Sequence, residues 1–65
     1  MATFTAYNHS TVEKTFAING LRVADAFRKF GGEWHIINLK GELIAKTNNG
    51  AQVAIIVKKL FKVTK

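Results

Sequence analysis

The chain has 65 residues, of which 48% are hydrophobic and 22% charged, and it contains neither Cys nor Pro. This composition excludes a disordered tail, a disulfide-rich mini-protein and a zinc finger with Cys ligands. The longest aliphatic run, residues 53–57, is far shorter than the roughly 20 residues that span a bilayer. The first residues also lack the pattern of a secretion signal. We therefore expect a single small domain, residues 1–65, that is cytoplasmic and makes no contact with a membrane.

Alternating apolar and polar residues predict two β-hairpins. The first combines residues 3–7 and 12–18 and turns at Asn-His-Ser, which is typical turn chemistry. The second combines residues 34–38 and 43–47 and turns at Lys40-Gly41. The sequence therefore predicts four strands.

A helix is predicted after each hairpin, because apolar residues recur there at helical spacing. The first helix takes residues 20–30, with Asn19 as its N-cap and Gly31-Gly32 as its end, and the second takes residues 50–63. The order ββαββα predicts an α+β fold of two layers, in which a four-stranded antiparallel sheet carries both helices on one face. The predicted core consists of the inward-facing apolar side chains Phe4, Phe16, Val23, Phe27, Phe30, Trp34, Ile36, Val53, Ile56, Val57 and Leu60.

The two halves of the chain match when one is shifted by 30 residues. Asn19-Gly20 then falls on Asn49-Gly50, and Val23-Ala24 falls on Val53-Ala54. The match predicts an internal ββα repeat with units of approximately 3–31 and 33–63. The alternative is that any two amphipathic helices with Asn caps look somewhat alike.

Positive charge is concentrated in the second half of the chain. Ten Lys and Arg stand against four Asp and Glu, a net charge of +6, and residues 34–65 hold six of these bases and one of the acids. On both predicted helices the cations lie opposite the apolar side chains, so two adjacent helices form one basic surface suited to a phosphate backbone. Cations near a helix C-terminus are also favoured by the helix dipole, whatever the function. The predicted nucleic-acid-binding residues are Arg22, Arg28, Lys29, Lys58, Lys59 and Lys62, interrupted by Asp25.

Ile55 falls on the same outer face of the second predicted helix. A single exposed Ile is normal in a folded protein, and the alternative is an apolar anchor for a partner protein. A sheet of four strands leaves two edges unpaired, which favours a homodimer.

Aromatic residues give a second candidate surface. If the sheet face opposite the helices is open, Thr5, Tyr7 and His35 lie on it and can stack against bases. The aromatic and basic strand motif of RNA-recognition domains is absent, however, and we expect Phe27 and Phe30 to lie in the core.

The sequence predicts a protein that is not an enzyme and has no metal or cofactor. His9 and Ser10 are neighbours in a predicted turn, where their side chains diverge, and no third group is placed to orient them. The acids are scattered, and the glycines belong to turns and helix ends rather than to a phosphate-binding loop.

Two functions remain open. The first is non-catalytic binding of DNA or RNA with little sequence specificity, through contacts to phosphates. The second is an inhibitor or adaptor that docks on an acidic surface of a larger enzyme, with the same cations for steering and Ile55 as the anchor. In general style the chain resembles the accessory proteins of phages and mobile elements, and this resemblance implies either function without resting on a residue motif.

Overall fold

The computed structural model describes residues 3–63 as a meander of antiparallel strands that ends in a helix. The 3-10 turn Gly50–Gln52 leads into the helix α1, Val53–Leu60. None of the helical segments among residues 3–63 could span a membrane. The protein is a small α+β domain with one sheet, whose five strands lie side by side in chain order: β1 (Phe4–Ser10), β2 (Glu13–Ile18), β3 (Leu21–Arg28), β4 (Trp34–Asn38) and β5 (Leu43–Thr47).

The prediction of a helix over residues 20–30 is wrong, because most of this segment forms β3. Asn19 and Gly20 have φ angles of 54° and 80°. Positive φ at both central residues is what a two-residue type I′ hairpin turn requires, and Asn-Gly is its preferred sequence. The dipeptide therefore joins β2 to β3 and does not cap a helix. The predicted four-stranded sheet with two helices is wrong for this reason, and so is the ββα repeat, since residues 3–31 contain strands alone.

The matching dipeptide, Asn49-Gly50, does begin the predicted second helix. Asn49 is extended, with φ −116° and ψ 108°, and its side chain accepts a hydrogen bond from the backbone N of Ala51 at 3.0 Å. This is the geometry of an N-cap. The helix ends at Leu60, three residues earlier than the predicted end at residue 63.

The turn of the first hairpin also differs from the prediction. β1 continues through Asn-His-Ser to Ser10, with a register shift between Asn8 and Ser10, and the turn falls at Thr11-Val12. The second hairpin is confirmed, because β4 and β5 occupy the predicted residues 34–38 and 43–47.

The core lies between α1 and one face of the sheet. Phe4, Val23 and Ile56, which were predicted as core residues, are partly buried and pack against it. Phe30 and Leu60, however, are 107% and 45% exposed, and Phe27 lies on the other face of the sheet, so the prediction that these three residues are in the core is wrong. Along β3 it is Ala24 and Ala26 that face the core, and not Phe27. The buried cluster is Phe16, Ala24, Ala26, Trp34, Ile36, Val53 and Val57.

The opposite face of the sheet is not covered by any element within residues 3–63. We call it the open face. The strand register places on it Tyr7, Glu13, Thr15, Asp25, Phe27, His35, Ile37, Leu43 and Lys46.

Candidate nucleic-acid interface

Two rows of cross-strand neighbours build the open face, because directly opposed residues in a sheet point to the same side. The first row runs from one edge to the other as Tyr7, Thr15, Asp25, Ile37 and Leu43. The second row runs as Glu13, Phe27, His35 and Lys46. The face thus combines aromatic, apolar and charged side chains.

Two aromatic rings of the second row lie side by side, and a cation from outside the row lies over one of them. The ring centroids of Phe27 and His35 are 5.8 Å apart, with the ring planes at 40°. The ammonium of Lys29 lies 5.0 Å from the centroid of the Phe27 ring. On the edge strand β1, Tyr7 is 49% exposed. The open face therefore offers rings on which planar groups can stack, with a positive charge beside one of them.

A hydrogen bond fixes the position of the His35 ring. Its Nε2 lies 2.9 Å from Glu33 Oε1. An ionised carboxylate can only accept, so Nε2 carries the proton and donates it to this contact. This hydrogen bond lowers the pKa of Glu33, desolvation opposes the shift, and the positive charge of Lys46 adds to it. The hydrogen bond orients the imidazole beside Phe27.

A concavity of about 430 Å³ opens on this face. Its volume lies in the range of pockets that hold small ligands. His9 Nε2 and Thr15 Oγ1 form a hydrogen bond of 2.7 Å in its wall. The lining residues are His9, Glu13, Lys14, Thr15, Arg22, Asp25, Ala26, Phe27 and Ile37.

The side chain of Asp25 lies in this concavity and makes no hydrogen bond. Its Oδ1 is buried, and no described residue donates to it. Its Oδ2 lies 3.9 Å from Arg22 Nη2, which is an ion pair at a distance too long for a hydrogen bond. The side chain as a whole is 31% exposed, so the carboxylate stands at the boundary between protein and solvent.

The predicted cations do not form a surface on two helices, because the first of these helices does not exist. Arg22 lines the concavity, and Lys29 lies over Phe27, so both belong to the open face. The ammonium of Lys58 lies 5.2 Å from the Phe4 ring, next to the core, and Lys59 is exposed on α1.

The other two predicted cations lie at the ends of elements. Arg28 ends β3 and is paired with the buried Trp34, so alternation places it away from the open face. Lys62 follows α1 and has a φ of 55°. The predicted cations are thus divided between the two sides of the sheet.

The open face agrees with the second candidate surface that the sequence suggested. Tyr7 and His35 lie on it, and alternation along β1 adds the partly buried Thr5. Phe27, Asp25 and Lys46 were missed. The signal that could have found the first two is the alternation of residues 21–28, which puts Asp25 and Phe27 on the side opposite Ala24 and Ala26.

Ile55 is 44% exposed on α1, far from the rows of the open face. Its role as a partner-binding residue stays a prediction, and so does the homodimer, for which β1 and β5 provide the sheet edges.

No protein-family model, curated protein or solved structure matches this chain. Within residues 3–63 no three His, Asp or Glu side chains are grouped so that they could hold a metal ion.

Proposed function

We propose that the protein binds single-stranded nucleic acid on the open face of its sheet, without catalysis and with little dependence on sequence. The observation that carries this proposal is the set of rings on an uncovered sheet face, with Tyr7 on β1, Phe27 on β3 and His35 on β4. Unpaired bases stack on such rings whatever their sequence, and each stacked base contributes about 1–3 kcal/mol.

Cations beside these rings supply the contacts to phosphates. Lys29 lies over Phe27, and Lys46 is the cross-strand neighbour of His35. Arg22 adds a third positive charge in the wall of the concavity. Each phosphate that these side chains neutralise releases condensed counterions, so binding weakens as salt increases.

Single strands are favoured over duplexes, since a base can lie flat on Phe27 or Tyr7 only when it is not stacked inside a double helix. The open face also offers a sheet surface rather than a protruding helix, and a helix is what enters a major groove in many duplex-binding proteins. The cations on the other side of the sheet, Lys58 and Lys59 among them, contribute to long-range attraction and not to contacts.

A second candidate function is docking on an acidic surface of another protein. It is favoured by exposed apolar side chains outside the open face, since Leu21, Leu39 and Phe30 are 72%, 54% and 107% exposed. A groove of about 330 Å³ between Val23, Leu39 and Phe61 could hold an apolar side chain of such a partner.

Fluorescence anisotropy tests the first proposal. Labelled single-stranded DNA and RNA of about 12 nucleotides, and the DNA duplex of the same sequence, are titrated at about 50 and 200 mM salt. We expect the single strands to bind more tightly than the duplex, with an affinity that falls with salt. Binding of the duplex in preference, or of none of the three, would contradict the proposal and leave the protein-docking function.

A matched pair of double variants locates the binding surface. Lys29→Ala with Lys46→Ala removes two charges from the open face, whereas Lys58→Ala with Lys59→Ala removes two from α1. We expect the first variant to lose affinity and to reduce the salt dependence by a log–log slope of about 1.4, from about 0.7 per phosphate contact on a single strand. We expect the second variant, on α1, to change the affinity and its salt dependence much less. Equal losses in the two variants would mean that the open face is not the site.

A further inference from the structure

We infer that Asp25 makes the open face prefer bases that carry an exocyclic amino group, such as cytosine, over uracil and thymine. The inference rests on the proposed function and specifies which bases the concavity accepts.

Asp25 carries a carboxylate oxygen whose hydrogen-bonding capacity is not satisfied. Among residues 3–63, Asp25 Oδ1 is the buried side-chain oxygen without a hydrogen-bond partner. Buried polar atoms almost always have partners, and a charged acceptor without one is costly. Thr15 is the cross-strand neighbour of Asp25, but its Oγ1 lies 2.7 Å from His9 Nε2 and makes no hydrogen bond to Asp25 Oδ1. The carboxylate therefore has an unused capacity to accept.

The carboxylate of Asp25 lies beside apolar surfaces in the concavity. Phe27 and Ile37 line the same space and offer an aromatic and an aliphatic surface for a flat ring. A base stacked on Phe27 presents its edge to Asp25, which precedes Phe27 by two residues on the same face of β3. The carboxylate can turn either oxygen to this edge, since the last torsion of Asp is broad and twofold.

The hydrogen-bonding groups at the edge of cytosine match those of Asp25 and Arg22. The amino group of cytosine donates to a carboxylate, and its ring nitrogen and carbonyl accept from a guanidinium. Asp25 and Arg22 provide these two groups, with their charged atoms 3.9 Å apart. Uracil and thymine carry a carbonyl where cytosine carries the amino group, so the carboxylate faces an acceptor and repels it.

The test compares two oligonucleotides of about 12 nucleotides, oligo(dC) and oligo(dU), which share the sugar, the phosphates and the pyrimidine ring. We expect wild-type protein to bind oligo(dC) roughly tenfold more tightly. In Asp25→Asn the preference should fall to about twofold or less, because an amide can turn its NH₂ group toward a carbonyl.

Glu13→Gln is the matched control. Glu13 lines the same concavity, so its change to Gln removes the same charge from the same space. It should raise the affinity for both oligonucleotides by similar factors and leave their ratio unchanged. A ratio that falls equally in Glu13→Gln would mean that general charge, and not a contact from Asp25, sets the preference.

The outcomes separate this inference from the proposed function. Equal binding of oligo(dC) and oligo(dU) by the wild-type protein would overturn the inference and leave single-strand binding intact. Absence of binding to both would overturn both. The ratio of the affinities for oligo(dC) and oligo(dU) is measured on the wild-type protein, so the preference can be tested even if Asp25→Asn does not fold.

Discussion

The imidazole of His35 lies against the phenyl ring of Phe27, with the ring centroids 5.8 Å apart and the ring planes at 40°. The two residues are cross-strand neighbours on β3 and β4, on the face of the sheet that α1 does not cover. The core can therefore stay packed when the Phe27 ring is removed, and what is lost is one aromatic ring of the open face.

Phe27→Ala should reduce the free energy of unfolding by about 1 kcal/mol, because the ring is only partly buried. Phe16→Ala is the control, since Phe16 is 0% exposed in the core and its truncation should cost about 3–5 kcal/mol. Urea unfolding followed by circular dichroism measures both. A loss in Phe27→Ala as large as that in Phe16→Ala would place Phe27 in the core, contrary to the structure.

Gly50→Ala should destabilise the protein, because Gly50 lies directly against the indole of Trp34. A Cβ added at this position would lie 2.8 Å from Trp34 Nε1. The ring is itself packed in the core, so overpacking should cost about 1–3 kcal/mol. Gln52→Ala in the same 3-10 turn is the control, as its exposed side chain makes no capping hydrogen bond. An unchanged melting temperature in Gly50→Ala would show that the helix does not begin against Trp34.

The contact between Glu33 and His35 predicts that the stability of the folded protein depends on pH. The hydrogen bond from His35 holds the pKa of Glu33 below that of an ordinary glutamate. A carboxylate with a lowered pKa in the folded state contributes stability that is present above the ordinary glutamate pKa and is lost as pH falls through the lowered pKa. Carbon-detected NMR titration should show the pKa of Glu33 rising in His35→Ala. An unchanged titration of Glu33 would mean that the contact is not made in solution.

Patterns within a few neighbouring residues were sufficient to predict the second hairpin and the start of the helix. Residues 34–38 and 43–47 alternate clearly around a Gly turn, and both strands have the predicted bounds. Asn49 was correctly predicted to stand at the start of the helix, where its side chain accepts from the Ala51 amide. These features depend on neighbours a few residues away, which is why the sequence shows them.

β3 could not be assigned in this way. Residues 21–28 fit both a spacing of two and a helical spacing, because alanines stand next to larger apolar residues. The choice is made by pairing with β2 and β4 on either side, contacts that lie far away along the chain. The error about this one segment moved Phe27 into the predicted core and placed Arg22 and Lys29 on a helix. It also hid the position of Asp25 in the concavity of the open face.

The most direct test of the account is to map the binding surface by NMR on ¹⁵N-labelled protein titrated with single-stranded DNA of about 12 nucleotides. We expect the largest shifts on the open face, at Tyr7, Asp25, Phe27, His35 and Lys46, and little change at the amides of Val53–Leu60. Shifts confined to α1, or no shifts at a concentration that saturates binding by anisotropy, would contradict it.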